Sequence, residues 1–247
     1  MEKMIKLNDL ALHTGADIIF ENNYLIHQPT IFELSEYFSE DEFFKTLQTL
    51  GIESMGDIDS FHIFFGLFFS DFLPEQDRTL IIQFLALLFG NYSVFLSEKG
   101  FVIKKDEKDD GLLLSEENFS KFQEIIKKMF AWDKIFNGNK KEEDYNPAND
   151  KAREIAEKLK KRHEVLARAR SKDNNGKSFF GNYLSIVSIG LGENMTDLSK
   201  KLTFFQLLKE VERIGMKEGF DQLLKIKTSF VTASSSKEPL EDWMKFI

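Results

Sequence analysis

Residues 74–90 read PEQDRTLIIQFLALLFG and contain the most apolar run of the chain. Pro74 suits the first turn of a helix, where its missing N–H is not needed, and Glu75 and Asp77 suit the positive end of the helix dipole. From Leu80 onward the pattern is apolar on nearly every side, which is typical of a buried helix. The run is too short for a membrane span, which needs about 20 residues. We therefore predict a central buried helix and no membrane partner.

The segments on both sides of this helix predict short strands and amphipathic helices. Residues 17–26 and 93–104 each hold two apolar runs separated by polar turn residues, which predicts two small β-hairpins. Ser39 and Glu42 form a capping-box pattern before a helix that Gly51 ends. The predicted fold class is mostly α: a helical N-terminal domain with two small β-hairpins (α+β), a long charged helix and a smaller helical C-terminal segment.

Phenylalanine is unusually common, at 26 of 247 residues. Between Ile58 and Leu73 the phenylalanines recur at helical spacing, which favours core packing over an aromatic ligand site. A further helical pattern begins at Ser115 and continues to about Phe136. We expect most phenylalanines to lie in the core and a minority to be exposed.

Composition divides the chain into parts of opposite charge. Residues 1–144 hold 27 acidic and 14 basic side chains, a net of −13, and the remainder holds 14 and 19, a net of +5, which sum to −8. Polar residues and an Asn-Gly turn mark the boundary between them. The predicted parts are an acidic Phe-rich N-terminal domain (1–137), a linker (138–145), a long charged helix (146–172), a helical C-terminal segment (173–230) and a flexible tail with a Trp-containing end (231–247).

The long charged helix carries only a thin apolar stripe. Ile155, Leu159 and Leu166 recur at spacings of four and seven, while Lys, Arg and Glu fill most other positions. Such a stripe buries little by itself, so we expect a surface of this chain or of another to cover it. The apolar end of the tail docks either on its own domain or on a partner, and Trp is a favoured hot-spot residue. The candidate partner-binding residues are Ile155, Leu159, Leu166, Trp243, Met244 and Phe246.

Catalytic and cofactor signatures are missing from the sequence. The chain has no cysteine, which excludes disulfides, thiolate catalysis and the common zinc frameworks. Its four histidines share no metal-ligand spacing. The lone Gly190-Leu191-Gly192 lacks the third glycine and the preceding strand of a dinucleotide loop. We predict no catalytic residue, no cofactor and no metal, and therefore a protein that is not an enzyme.

Nucleic acid is not an expected partner of so acidic a chain, because phosphate neutralisation by basic residues supplies most non-specific affinity. The basic residues of helix 151–172 could face phosphate, but glutamates dilute their charge and no aromatic residues interleave with them. Nucleic-acid binding through this helix remains an alternative interpretation.

Five motifs follow one another along the chain. They are IHQPTIFEL (26–34), EDEFF (40–44), NP with AREIAEKLKKR (146–162), LTFFQL (202–207) and EPLEDWMKFI (238–247). In order and rough spacing they resemble the tail assembly chaperones of siphophages and of prophages of Gram-positive bacteria. Residues 55–130 carry no motif of that family, and residues 223–230 depart from its pattern.

The resemblance implies a non-enzymatic role in the cytoplasm of the host bacterium. Such chaperones coat the apolar tape measure protein before the tail tube polymerises around it, and a C-terminal extension recruits tail tube subunits. The implied partners are therefore the tape measure protein and the tail tube protein. Self-association with further copies of the chain is an additional candidate interaction. A Phe-rich domain would offer apolar grooves to client helices. The alternatives are a virion structural protein and a nucleic-acid-binding protein acting through helix 151–172.

Overall fold

The computed structural model of the chain describes residues 9–21, 24–106, 108–136 and 178–228. These residues are mostly helical and include two small antiparallel sheets, so the predicted fold class is confirmed. The helices are α1 (Asp9–Thr14), α2 (Ile31–Tyr37), α3 (Glu40–Leu50), α4 (Ser60–Phe69), α5 (Glu75–Leu88), α6 (Glu116–Met129), α7 (Trp132–Ile135), α8 (Phe179–Leu191), α9 (Met195–Lys201) and α10 (Phe204–Thr228). The strands are β1 (Ile18–Ile19), β2 (Leu25–Ile26), β3 (Ser93–Ser97), β4 (Gly100–Lys104) and β5 (Leu112–Leu114). The predicted linker 138–145, long helix 146–172 and tail 231–247 lie outside the described residues.

Helix α5 is the central helix, as its sequence predicts. Ile81, Phe84, Leu85 and Leu88 each expose 1% or less of their surface. The ring of Phe84 lies 5.6 to 6.0 Å from three other aromatic rings of the core, a separation that suits edge-to-face contact. Apolar faces of several helices therefore converge on α5.

The starts of α2 and α3 follow the capping chemistry in the sequence. At α2 the backbone N–H of Thr30 donates to Glu33 at 2.7 Å, and the N–H of Glu33 donates to the Thr30 hydroxyl at 3.2 Å. The same reciprocal pair links Ser39 and Glu42 at α3. Gly51 follows the last turn of α3, so the predicted helix ends are confirmed. Each N-cap contributes about 0.5–2 kcal/mol to helix stability.

The predicted hairpins are confirmed, and the second one gains a third strand. β1 pairs with β2, and β4 lies between β3 and β5 in an antiparallel sheet. One face of that sheet is buried, because Phe101 of β4 packs 5.8 Å from Phe64 and 5.1 Å from Phe68 of α4. The opposite face carries the exposed ring of Phe95 on the edge strand β3.

The predicted single helix from Ser115 to about Phe136 is wrong, because the chain breaks into α6 and α7. Ala131 lies between them with a φ of +47°, in the left-handed region that ends a helix. The turn places the ring of Trp132 over Gly51, where an added Cβ atom would lie 2.1 Å from that ring. Packing of the Trp132 ring thus decides where the helix ends, and local helical periodicity cannot reveal it.

Helices α8, α9 and α10 pack on the same core as the N-terminal domain. The ring of Phe43 in α3 lies 5.6 Å from Phe180 of α8 and 5.7 Å from Phe204 of α10. All three rings are nearly or fully buried. Within the described residues, the segments before and after the predicted linker therefore share one hydrophobic core.

Two of the motifs meet in this core although they lie far apart in the chain. Thr30 forms an isolated β-bridge with Thr203, and the N–H of Ile31 donates to the carbonyl of Leu202 at 3.0 Å. Gln206 donates to the carbonyl of His13 at 2.9 Å. Motif residues of 26–34 and 202–207 thus form the joint between α2 and α10.

Candidate interaction surfaces

An open groove lies between α8 and α10 and is closed at one end by α7. It encloses a cavity of about 390 Å³. Seven apolar or aromatic side chains and one ion pair form its walls. These residues are Phe44, Ile135, Phe136, Phe179, Tyr183, Leu208 and Val211, with Lys134 and Glu212. We call this feature the α8–α10 groove.

The groove exists because α8 and α10 run side by side in the same direction. The ring of Phe179 stacks on Phe204 at 6.0 Å near the start of both helices. Eleven residues further along α8, Gly190 meets Ile214, whose side chain would lie 2.4 Å from an added Cβ atom. A larger residue at position 190 would therefore displace the side chain of Ile214, so glycine favours the close approach of the two helices at this point.

The apolar surface of the groove continues beyond the cavity. Phe179, Tyr183 and Ile186 recur at spacings of four and three, so they share one side of α8. Ile186 exposes 43% of its surface. On α10, Leu208, Val211 and Gly215 recur at spacings of three and four, so they also share one side of their helix. A Cβ atom added at Gly215 would meet nothing within 4 Å, so this position is open. Neighbouring parts of α8, α9 and α10 expose further apolar side chains, namely Ile189, Leu191, Met195 and Met216.

One ion pair provides the charge at the groove wall. Glu212 accepts hydrogen bonds from Lys134 and, at 3.0 Å, from Lys209. Partial burial raises the pKa of Glu212, but the hydrogen bonds and charges of the two lysines outweigh it and lower the pKa below its usual value. The carboxylate is therefore ionised and paired at neutral pH, and the rest of the lining is suited to apolar side chains.

Three phenylalanines near the three-stranded sheet are exposed, on different sides of that sheet. Phe69, Phe72 and Phe95 expose 51%, 91% and 53% of their surfaces. Most other described phenylalanines are buried or half-buried, so the expectation of a small exposed minority is confirmed. The acidic domain itself thus uses its phenylalanines chiefly for packing.

A depression of about 590 Å³ between α6, α7 and α10 carries lysines beside aromatic rings. Lys127 lies 5.4 Å above the Trp132 ring, and Lys209 lies 5.8 Å above the Phe205 ring. Its lysines also bind carboxylates, namely Glu53, Glu124 and Glu212. Because nearby acids compensate the lysine charge, phosphate recognition has little support at this depression.

One group in the described part of the chain has the composition of a cation site. Ligand atoms of Asp59, His62 and Glu116 all lie within 4.8 Å of one another. Asp59 is the N-cap of α4 and accepts a hydrogen bond from the backbone of His62, which lowers the pKa of Asp59. The hydrogen bond and charge of Asp59 raise the pKa of His62. Helix capping and an ion pair therefore account for this group.

The candidate residues chosen from the sequence, Ile155, Leu159, Leu166, Trp243, Met244 and Phe246, lie outside the described residues. The α8–α10 groove was not predicted, because its walls come from four helices. The sequence signal for it is limited to the apolar residues that recur in segments 179–191 and 202–213. Among the described helices, none combines the length and apolar character that crossing a bilayer requires.

Comparison of the chain with protein-family models, with curated proteins and with solved structures finds no match.

Proposed function

We propose that this chain is a phage tail assembly chaperone that binds helices of the tape measure protein and recruits tail tube subunits in the host cytoplasm. The α8–α10 groove is the observation that carries the proposal. It is open, and seven of its nine lining residues are apolar or aromatic. A protein that keeps an apolar client in solution needs a surface of this kind.

The shape of the groove favours a client helix over a polar small molecule. Ligand pockets combine apolar walls with a few convergent polar groups. Here the charged groups of the wall, Lys134 and Glu212, are already paired with each other. An amphipathic helix that lays its apolar stripe between α8 and α10 would cover the ring of Tyr183 and the side chains of Ile186 and Val211. A tape measure protein is a long helical protein with such stripes.

The resemblance gives independent support, because two of its motifs meet in space. Thr30 and Thr203 belong to different motifs and pair directly through their backbones. This joint fixes the start of α10, whose following turns carry Leu208 and Val211 of the groove. The motif residues therefore position the proposed client surface.

Co-expression with the tape measure protein encoded next to this chain tests the proposal. We expect the wild-type chain to bring the tape measure protein into the soluble fraction and to co-purify with it. Ile186→Asp should abolish this effect, since it places a charge on the exposed apolar surface that continues from the groove along α8. Phe72→Asp is the matched control, because Phe72 is also exposed but lies between α4 and α5. A complex that survives Ile186→Asp, or the absence of any complex with the wild type, would contradict the proposal.

Analysis of purified phage particles separates this function from that of a virion structural protein. A chaperone leaves the tail once the tube has assembled, so mass spectrometry of tails should detect none of this chain. A fixed copy number per particle would instead identify a structural component.

A further inference from the structure

The edge strand β3 is unprotected in a way that is uncommon for soluble proteins. It pairs with β4 on one side, and no described strand pairs with its other side. Natural edge strands are usually blocked by a charged side chain, a proline or a bulge. Residues 93–97, SVFLS, hold no charge and no proline, and their pairing with β4 is continuous. Phe95 and Leu96 expose 53% and 44% of their surfaces.

The register of the hairpin shows which backbone groups face outward. Residues 98–99 form the turn, so Ser97 and Gly100 are the first residues whose backbone N–H and C=O groups point toward each other across the hairpin. In antiparallel strands such inward-pointing pairs alternate with outward-pointing ones. The N–H and C=O groups of Val94 and Leu96 therefore point away from β4, toward the open edge. They offer two donors and two acceptors to an additional strand.

We propose that β3 pairs with β3 of a second copy of this chain, which joins the two three-stranded sheets into one six-stranded sheet. The two-fold axis passes between the two Phe95 residues. Val94 then exchanges hydrogen bonds with Leu96 of the partner copy, and Ser93 faces Ser97. This antiparallel register pairs all five residues of the strand with residues of the partner strand. Sliding one strand along the other to the next hydrogen-bonded register would leave residues at one end unpaired or would pair them with turn residues.

Charge and side-chain chemistry at the edge suit a second copy. In this register Glu98 faces Tyr92, and Lys99 faces Asn91, so like charges do not meet. Phe95 faces its own copy, and aromatic pairs directly opposite each other stabilise antiparallel strands. The strand is thus complementary to itself in hydrogen bonding, and no like charges oppose the pairing.

Apolar residues beside the strand would enlarge the contact. Leu96 shares the inner face of the sheet with Phe101, since the two are cross-strand partners. Phe101 in turn packs against Phe65, which lies 4.8 Å from the exposed ring of Phe69. Leu96 therefore lies on the side of the sheet that packs on α4, where it would add apolar contact to the paired strands.

Cysteine cross-linking tests the register, because the chain contains no cysteine of its own. Phe95→Cys places one thiol on each side of the axis, in a non-hydrogen-bonded pair with Cα atoms about 4.5 Å apart. We expect mild oxidation of this variant to give a disulfide-linked dimer. Ser97→Cys is the matched control. In this register position 97 faces position 93 of the partner copy, so the two cysteines lie four residues apart along the strands, or about 14 Å. This distance exceeds the Cα separation that a disulfide spans. A mixture of Ser93→Cys with Ser97→Cys should again cross-link.

Sedimentation of the unlinked chain tests the contact itself. We expect a reversible dimer, and Phe95→Lys should raise its dissociation constant about tenfold or more, because two like charges then face each other. Leu113→Lys, on the same face of the opposite edge strand β5, should leave the dimer intact. Circular dichroism melting checks that each variant folds. A wild-type chain that stays monomeric, or equal cross-linking of the Phe95→Cys and Ser97→Cys variants, would overturn the proposal. The measurements use the chain alone, so they do not depend on the proposed function.

Discussion

Gln28 connects three parts of the chain through a single side chain. It is 1% exposed, and its amide nitrogen donates to the carbonyls of Ala11 at 2.8 Å and Ala16 at 2.5 Å. The neighbouring Thr30 caps α2 and bridges to Thr203 of the C-terminal part. The QPT segment that contributes to the family resemblance therefore has a structural role.

Replacing Gln28 with alanine should lower the free energy of unfolding by about 1–3 kcal/mol, because two hydrogen bonds of a buried amide are lost. Chemical denaturation followed by circular dichroism measures the change. Gln48→Ala is the control, since Gln48 is exposed on α3 and its loss should change stability by about 0.5 kcal/mol or less. Equal effects of the two variants would show that the amide of Gln28 does not hold these carbonyls.

At the scale of single residues, the sequence predicts helix-capping residues but not hydrogen-bond partners that lie far apart in the chain. Ser39 with Glu42 and the closing Gly51 are local signals, since each acts within a few residues. The partners of Gln28 lie 12 and 17 residues away, at positions that only the folded chain brings close. The left-handed Ala131 is set in the same way by the contact of Trp132 with Gly51.

Glu40 joins the start of α3 to the start of α8. It is the first residue of α3, yet its carboxylate accepts hydrogen bonds from the backbone N–H groups of Phe179 at 2.6 Å and Phe180 at 2.8 Å. Those N–H groups begin α8 and have no partner within their own helix. The carboxylate also lies at the positive end of the α8 dipole. Glu40 therefore fixes one wall of the α8–α10 groove to the N-terminal core.

Glu40→Ala should lower the free energy of unfolding by about 1–3 kcal/mol, since hydrogen bonds to a charged acceptor are lost. Faster amide hydrogen exchange at the start of α8 should accompany the loss. Asp41→Ala, at the next position of the same helix, should cost much less, because Asp41 is exposed. If α8 exchanges no faster in Glu40→Ala than in Asp41→Ala, the proposed cap is wrong.

The elements themselves were predicted well where a single periodicity extends over the whole segment. Helix α5 and the two hairpins follow directly from apolar patterns and turn residues. Helix α10 is continuous over 25 residues, although glycines at 215 and 219 interrupt its apolar pattern. The groove between α8 and α10 depends on their parallel alignment, which neither helix encodes alone.

Across the whole molecule, several carboxyl groups are more acidic in the folded state than in the unfolded chain. Hydrogen bonds from Thr30 outweigh burial and lower the pKa of Glu33, and two lysines do the same for Glu212. A group with a lowered folded pKa stabilises the fold above its unfolded pKa, about 4.3 for glutamate, and loses that contribution as the pH falls. Acid should therefore weaken the joint that the C-terminal helices make with the core.

We expect the free energy of unfolding to fall steadily from pH 5 to about pH 3.5. Denaturant titrations at several pH values measure this dependence. Glu212→Gln removes one contributing carboxyl group and should make the decline shallower. A decline as steep as that of the wild type would show that the pairing of Glu212 with Lys134 and Lys209 adds no acid-sensitive stability.

The whole-molecule account places the client in the α8–α10 groove, and amide hydrogen exchange with and without the tape measure protein tests this most directly. The account predicts that binding slows exchange in residues 179–191 and 204–219 and leaves the β3–β4 hairpin unchanged. Slower exchange confined to the hairpin or to the loop between α4 and α5, with α8 and α10 unaffected, would contradict it.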